Sequence, residues 1–406
     1  MVTFTDNSPG ISDVQGFLVA GAACDIRNKN TDRLDTALIV SKTPCVAAGV
    51  FTTNDIKAAP VRLSQARLAE GKPMHGVIAN SGNANACTGE QGKADAARMV
   101  ALAEQLTGAP AGTFFVGSTG RIGDLMPMAK IEKGIADAAS RLASTETESR
   151  RAAEAILTSD TRPKTATARF TWQGKTVSVS GIAKGAGMIE PGMATMLAFL
   201  ATDAGIGREL LQKCLWRANS ASFNTVTVDG DMSTNDTVIV LANGASGVTV
   251  SDSEPALLAL FQEALNKVAY ALADKIVGDG EKITKVVSVQ IKGARTEAEA
   301  ETIARAIGNS LLVKSSWYGE DPNWGRLMDA AGYARVGIIE ERISIWYNSV
   351  PALINGRPIP ENKPTWKQEV KNRRFAITMS LGLGAADYTL LATDLSEAYV
   401  NFNKSE

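Results

Sequence analysis

The stretch "KGAGMIEPGMATMLAF", residues 184–199, decides how this chain is read. Three glycines, a proline and two alanines lead into a single hydroxyl, Thr195, and an apolar run follows. One reading is a glycine-rich loop that enters a buried strand. The other is a nucleophile on a strained backbone. A threonine hydroxyl attacks poorly without an adjacent base, and the chain has one histidine, His75, just before an apolar run. Packing or surface is the ordinary duty of a histidine so placed. The base left to Thr195 is its own α-amine, whose ordinary pKa of about 7.7–8.0 suits proton transfer near neutrality. That amine exists only once the Ala194–Thr195 peptide bond is cut. Glycines on the N-terminal side permit the strained backbone that lets a threonine hydroxyl reach the preceding carbonyl. Self-cleavage that begins with an N→O acyl shift then makes the nucleophile. On this fragment alone both readings stand.

The rest of the composition narrows the classes. The 406 residues suffice for two or three ordinary domains or one large α/β body. With 42 basic and 43 acidic residues and no basic block, nothing electrostatic points to nucleic acid. No apolar run reaches the roughly 18 residues of a membrane span. The start, "MVTFTDNSPGIS", shows neither a basic, apolar export signal nor an Arg-rich transit segment. A cytoplasmic protein is the expectation. Cys24, Cys45, Cys87 and Cys214 form no CxxC, so buried free thiols are expected. A single histidine excludes His₂ and His₃ metal sites and HExxH.

Valine, threonine and glycine punctuation predicts strands over 17–24, 36–41, 45–52, 76–82, 112–120, 176–185, 194–202, 224–231, 236–244 and 286–293. Helical patterns alternate with them over 93–106, 134–144, 254–278 and 296–312. Thr296 and Glu299 have capping-box spacing. The polar segment 145–154 reads as a solvated helix face. The mixture predicts an α/β or α+β fold. With no repeat and no linker, one interwoven domain over 1–406 is expected.

Familiar motifs fail. "GEQGKAD" (89–95) lacks P-loop spacing, and Glu190 spoils a dinucleotide fingerprint in "GAGMIEPG". "GDMSTND" (230–236) lacks the closing glutamate of an EF-hand and reads as turn chemistry. Other segments keep two readings each. In "VGSTGRIGDLMP" (116–127) a strand ends in Ser118-Thr119-Gly120, which is either a turn or a hydroxyl beside a free N–H, an oxyanion pair. In "GVIANSGNANACTGEQG" (76–92) Asn80, Asn83 and Asn85 suit a loop whose backbone they satisfy. In "SSWYGEDPNWGRLM" (315–328) Arg326 is suited either to a carboxylate or to a structural corner.

Taken together, the chain resembles the ornithine acetyltransferase family, which recycles the acetyl group in arginine biosynthesis. The matching runs are "NSGNANACTG" (80–89), "GSTGRIG" (117–123), "SDTRPK" (159–164), "AKGAGMIEPGMATMLAF" (183–199), "TVDGDMSTND" (227–236), "VGDGE" (277–281), "DPNWGR" (321–326) and "TDLSEAYVNFN" (393–403). They cover the chain end to end in a consistent order.

The resemblance implies a layered α/β sandwich of mixed sheets flanked by helices, with an N-terminal-nucleophile-like site. It implies self-cleavage between Ala194 and Thr195 into an alpha chain, 1–194, and a beta chain, 195–406, assembled as a heterotetramer of two copies of each. Carried over by position, Thr195 is the nucleophile, and Thr119 and Gly120 form the oxyanion hole. Thr161, Lys184, Glu281 and Asn403, together with Thr195, line the substrate pocket. The substrates implied are N2-acetylornithine and glutamate, with no metal or tightly held cofactor, and acetyl-CoA stays open as a further donor. Lys184 is suited to a substrate carboxylate, and its charge is of the sign that lowers the Thr195 amine pKa. Glu281 is suited to the ornithine ammonium.

Two departures from the family pattern bear on acceptor choice. Lys282 and Ile283 stand beside Glu281 where small residues are usual. The terminal Ser or Thr that contacts substrate is either absent or approximated by Ser405. Two rival functions remain: an amidohydrolase or aminopeptidase of the same fold, and a non-enzymatic binding protein.

Overall fold

The computed structural model describes residues 1–190 and 196–404. Ala194, Thr195 and Ser405 lie outside the described residues. The backbone forms two compact units interleaved along the sequence. The first takes residues 1–186, 196–224 and 232–276, and the second takes 187–190, 225–231 and 277–404.

Elements run in the order β1 (Thr3–Asp6), β2 (Phe17–Ala22), β3 (Thr36–Phe51), α1 (Ala59–Glu70), β4 (Met74–Asn83), α2 (Gly89–Thr107), β5 (Phe114–Arg121), α3 (Met128–Arg141) and α4 (Glu146–Ala155). Next come β6 (Lys164–Trp172), β7 (Lys175–Lys184), β8 (Leu197–Thr202), β9 (Gly205–Ile206), α5 (Arg208–Ser220), β10 (Thr237–Ala242), β11 (Thr249–Val250) and α6 (Pro255–Gly278). The remainder is β12 (Val286–Ala294), α7 (Glu297–Asn309), α8 (Leu311–Tyr318), α9 (Trp324–Tyr333), β13 (Ser344–Tyr347), β14 (Val350–Ile354), β15 (Arg357–Pro358), α10 (Lys363–Glu369), β16 (Arg374–Ser380), β17 (Ala386–Thr393) and α11 (Glu397–Phe402). The mixed α/β class predicted from the alternation is what forms.

In the first unit the strands follow the order β1-β6-β7-β8-β10-β3-β4-β5, with β2 also paired to β3. The pairing is mixed: β8 and β10 run parallel, as do β4 and β5, while β7 is antiparallel to β8. The two expected strands 36–41 and 45–52 are one strand, β3. Its first half pairs β2 and β4, its second half pairs β10, and the register breaks between Val40 and Cys45. Alternation along the strands then serves two cores. Phe17, Val19, Ile39, Phe115, Phe199 and Ile239 pack with α4 residues Ala152 and Ala153. Leu38, Ile78, Phe114 and Val116 face α2 and α3 through Met99, Val100, Ile131 and Ile135.

The second unit is a six-stranded sheet in the order β15-β14-β13-β16-β12-β17. Its core joins Val287, Val289, Ile345 and Ile377 to Ile303 and Ile307 of α7 and Leu327 of α9. Thr296 caps α7 by accepting the Glu299 N–H at 3.2 Å, as the spacing predicts.

Several expectations are corrected. The segment 224–231 is not a ladder strand, because its backbone groups go to separate partners. Thr227 N–H donates to Leu391 O at 2.8 Å, and Val228 N–H to Ile189 O at 2.8 Å. The polar segment 145–154 is a helix with a solvated face, Glu146, Thr147 and Arg150, but α4 also buries Glu148, Ser149, Ala152, Ala153 and Ala155. The helix expected over 296–312 ends at Asn309, and Ser310 caps a separate helix, α8. All four thiols are free, but only Cys45 and Cys214 are buried, Cys24 is half-buried and Cys87 is exposed. Cys87 sits at a positive φ of 58° in the turn before α2, which carries its side chain outward. Among the described residues no helix is long and apolar enough to cross a membrane.

Candidate active site

The parallel pair β4 and β5 sets Ser81 opposite Thr119 and Gly82 opposite Gly120. Hydrogen bonds hold this strand end from both sides. Ser118 Oγ donates to Asn80 Oδ1 at 2.6 Å, and Asn80 Nδ2 donates to Asn83 O at 2.9 Å. Asn83 Nδ2 reaches Asp124 O at 3.1 Å, and Asn85 Nδ2 reaches Gly92 O at 2.8 Å. The three asparagines thus satisfy backbone, as their sequence setting predicts. Asn235 braces the same strand end, donating to Ser118 O at 2.8 Å and Ala84 O at 2.6 Å.

At Gly120 a side chain would strain the backbone and force it to shift. Its φ is +135°, and a Cβ would lie 2.3 Å from the Gly82 carbonyl carbon. Thr119, one residue earlier, is buried at 3% exposure.

Lys184 ends β7 and is 2% exposed. Its ammonium donates to Thr158 Oγ1 at 2.7 Å and to Thr119 Oγ1 at 3.2 Å. Asp160 Oδ2 lies 3.8 Å away. The other oxygen of Asp160 pairs with Lys164 Nζ at 2.6 Å and accepts the Gly185 N–H at 2.7 Å. Burial opposes ionisation of Asp160, but the Lys184 and Lys164 charges outweigh it and hold the carboxyl below the usual carboxylate range. Thr161, the assigned pocket residue of the same segment, is exposed at the bend before β6.

The strand that follows Thr195 is anchored at its first described residue. Met196 N–H donates to Asp236 Oδ1 at 2.9 Å, and Met196 O accepts the Thr237 N–H at 3.1 Å. Asp236 is fully buried, and among the described residues its second oxygen is given no hydrogen-bond partner. Burial pushes its pKa well above the ordinary carboxylate value, against the Met196 N–H and the Lys184 charge.

In the second unit Asn403 Nδ2 donates to Glu281 Oε2 at 3.4 Å. Gly187 makes room for that carboxylate, since a Cβ there would lie 2.5 Å from it. Among the described residues of the glycine-rich lead-in, Met188 is in the left-handed region, at φ 58°. Asp229 holds the turn by accepting the N–H groups of Met188 at 2.7 Å and Ile189 at 2.9 Å. Lys282, the first departure noted in the sequence, also has a positive φ and lies over the Phe402 ring at 4.9 Å. Arg326 donates to Leu312 O at 2.9 Å, so the Pro-Asn corner is its setting.

Thr119 and Lys184 are therefore brought together in the first unit, and Glu281 and Asn403 in the second. Sequence reasoning missed Asp160, Lys164, Asn235 and Asp236. All four lie in the quoted runs 159–164 and 227–236, and their signal was a charge or amide flanking a hydroxyl-rich turn. Among the described residues no group of three or more His, Cys, Asp or Glu side chains is placed to hold a metal.

A model of the ArgJ family matches residues 18–405. The arginine biosynthesis bifunctional protein ArgJ of Symbiobacterium thermophilum is 42% identical over 396 residues, covering 98% of this chain and 98% of that protein. The protein of the same name from Geobacter sulfurreducens is 42% identical over 393 residues, covering 96% and 98%. A solved structure of ornithine acetyltransferase complexed with ornithine, from Mycobacterium tuberculosis, is 35% identical. It covers 47% of this chain and 98% of that one with a TM-score of 0.43.

Proposed function

This chain belongs to the ArgJ family, and on that footing we propose that it cuts itself before Thr195 and moves an acetyl group from N2-acetylornithine to glutamate in arginine biosynthesis. The observation that carries the site reading is the end of β5: a buried threonine hydroxyl beside a glycine where a side chain would force the backbone to move, braced by Asn80 and Asn235. A strand end fixed in this way is a preorganised oxyanion site.

The Thr195 amine takes the hydroxyl proton as Oγ attacks the acetyl carbonyl. Thr119 O–H and Gly120 N–H stabilise the oxyanion, each donor worth on the order of 3 kcal/mol. The intermediate collapses with cleavage of the carbon–nitrogen bond, the proton passes to the departing ornithine amine, and acetyl-Thr195 remains. The glutamate amine then attacks the ester, its proton returns to Thr195 Oγ, and N-acetylglutamate leaves. Glu281, near Asn403, pairs with the ornithine ammonium, and Thr161 completes the pocket. No step needs a metal. Two copies of each fragment form the working assembly, in the cytoplasm.

The test is release of ornithine from N2-acetylornithine with and without glutamate. Glutamate-dependent release is expected. Equal release without glutamate would make the protein a hydrolase, and no release in either case would leave the binding-protein reading. The relatives' names read "bifunctional", and acetyl-CoA is the second donor to assay, by glutamate-dependent release of CoA.

A further inference from the structure

We propose that Lys184 activates the Thr119 hydroxyl as an oxyanion donor, with Asp160 as the positioning residue that holds Lys184; this rests on the oxyanion role given to Thr119 above. The direction of the hydrogen bond makes the case. A lysine ammonium has donors only. In the 3.2 Å contact between Lys184 Nζ and Thr119 Oγ1 the hydroxyl oxygen is therefore the acceptor. The hydrogen of Thr119 is left for some other acceptor, and among the described residues none takes it.

Thr119 is 3% exposed, so bulk water is not the ordinary partner of its hydroxyl. A buried donor left unspent is costly. An oxyanion that forms only during reaction is an acceptor that suits it. Accepting a bond from a cation polarises the O–H and strengthens the bond it donates onward.

The charge balance of the cluster points the same way. Lys184 and Lys164 share one carboxylate, Asp160, and all three side chains are 2% exposed or less. Lys184 brings a charge of the sign a developing oxyanion requires to 3.2 Å from Thr119 Oγ1. Asp160 fixes Lys184 twice, through its charge and through the N–H of Gly185, the next residue in the chain. Thr158 Oγ1 takes another of the ammonium's protons at 2.7 Å and sets its rotation. In this arrangement Lys184 reaches the reaction through Thr119.

The two duties separate kinetically. A group that acts on the oxyanion lowers kcat and leaves KM, whereas one that holds a substrate carboxylate raises KM. The experiment is a double-mutant cycle of Thr119→Val and Lys184→Met, reading kcat and KM for N2-acetylornithine and, in parallel, the half-time of self-cleavage. Lys184→Met leaves Asp160 paired with Lys164. Each single change is expected to lower kcat by about 100-fold with KM within about twofold, and the double variant to be no slower than Thr119→Val alone. For any variant that stays uncut too long to assay, the cleavage half-times supply the same comparison, with the same lack of additivity. A tenfold rise in KM for Lys184→Met would give Lys184 to the substrate and overturn the inference. Fully additive losses would overturn it too, because Lys184 would then act independently of Thr119. An unchanged kcat in Thr119→Val would instead remove the oxyanion reading on which the inference rests.

Discussion

Lys184 and Glu281 are the two charged residues to which substrate contacts were assigned by resemblance, and their settings are opposite. Lys184 is buried at 2% exposure among two hydroxyls, a carboxylate and a second lysine. Glu281 is half-buried, beside an exposed asparagine whose amide reaches it at 3.4 Å. A charge locked in a dry polar cluster holds one geometry and suits a transition state. A carboxylate with partial solvent access adapts to a flexible ammonium and suits recognition. On this account, changes around Lys184 should act on kcat and stability, and changes around Glu281 on KM.

The largest effect expected is on stability. Asp160→Asn leaves two buried lysines facing a neutral amide and should cost about 3–5 kcal/mol in denaturant unfolding. The sign with pH follows from the lowered pKa of Asp160 in the fold. A carboxyl whose folded pKa is depressed contributes stability that is present above its unfolded value and lost as pH falls through the folded one. The difference between wild type and Asp160→Asn should therefore be flat from about pH 5 to 8 and shrink below about pH 4. A difference that grows on acidification would contradict the buried ion cluster.

Next comes Gly120→Ala. Its φ of +135° and the 2.3 Å approach to Gly82 force the strand end to shift, and kcat should fall by about 100-fold with KM little changed. A matching rise in KM would blur the division between the two regions. Glu281→Gln keeps the shape and removes the charge, and should raise KM for N2-acetylornithine by about tenfold. An unchanged KM would take recognition away from Glu281. The smallest effect is at Asn403, whose contact is long and exposed. Asn403→Ala should raise KM by no more than about threefold, read in the same assay.

How much of this was legible in the sequence depended on what each segment's pattern reports. Strands such as β7, β8 and β10 were legible because valine, threonine and alanine fill both faces of a buried sheet. The segment 224–231 has the same alternation but is bonded residue by residue to Ile189 and Leu391, and side-chain pattern carries no information about that. The whole sheet edge from Ser344 to Ser380 escaped notice, since its strands are short and broken by Asn355-Gly356 and prolines. At the proposed site, Thr119, Gly120 and Lys184 were named through a resemblance in their motifs, and the fold places Thr119 in contact with Lys184. Asp160 and Asp236 were not, because what marks them is burial beside an ammonium and an N–H contributed by other strands. Periodicity locates a face, whereas charge pairing across strands needs the fold.

The central claim is that the chain makes its own nucleophile at Thr195, and intact-mass spectrometry of the purified protein beside Thr195→Ala tests it most directly. The account predicts two fragments in wild type, one beginning at Thr195, and a single 42.8 kDa chain in the variant. A wild-type protein that stays as one uncut chain, or a Thr195→Ala chain that is cut at the same bond, would contradict it.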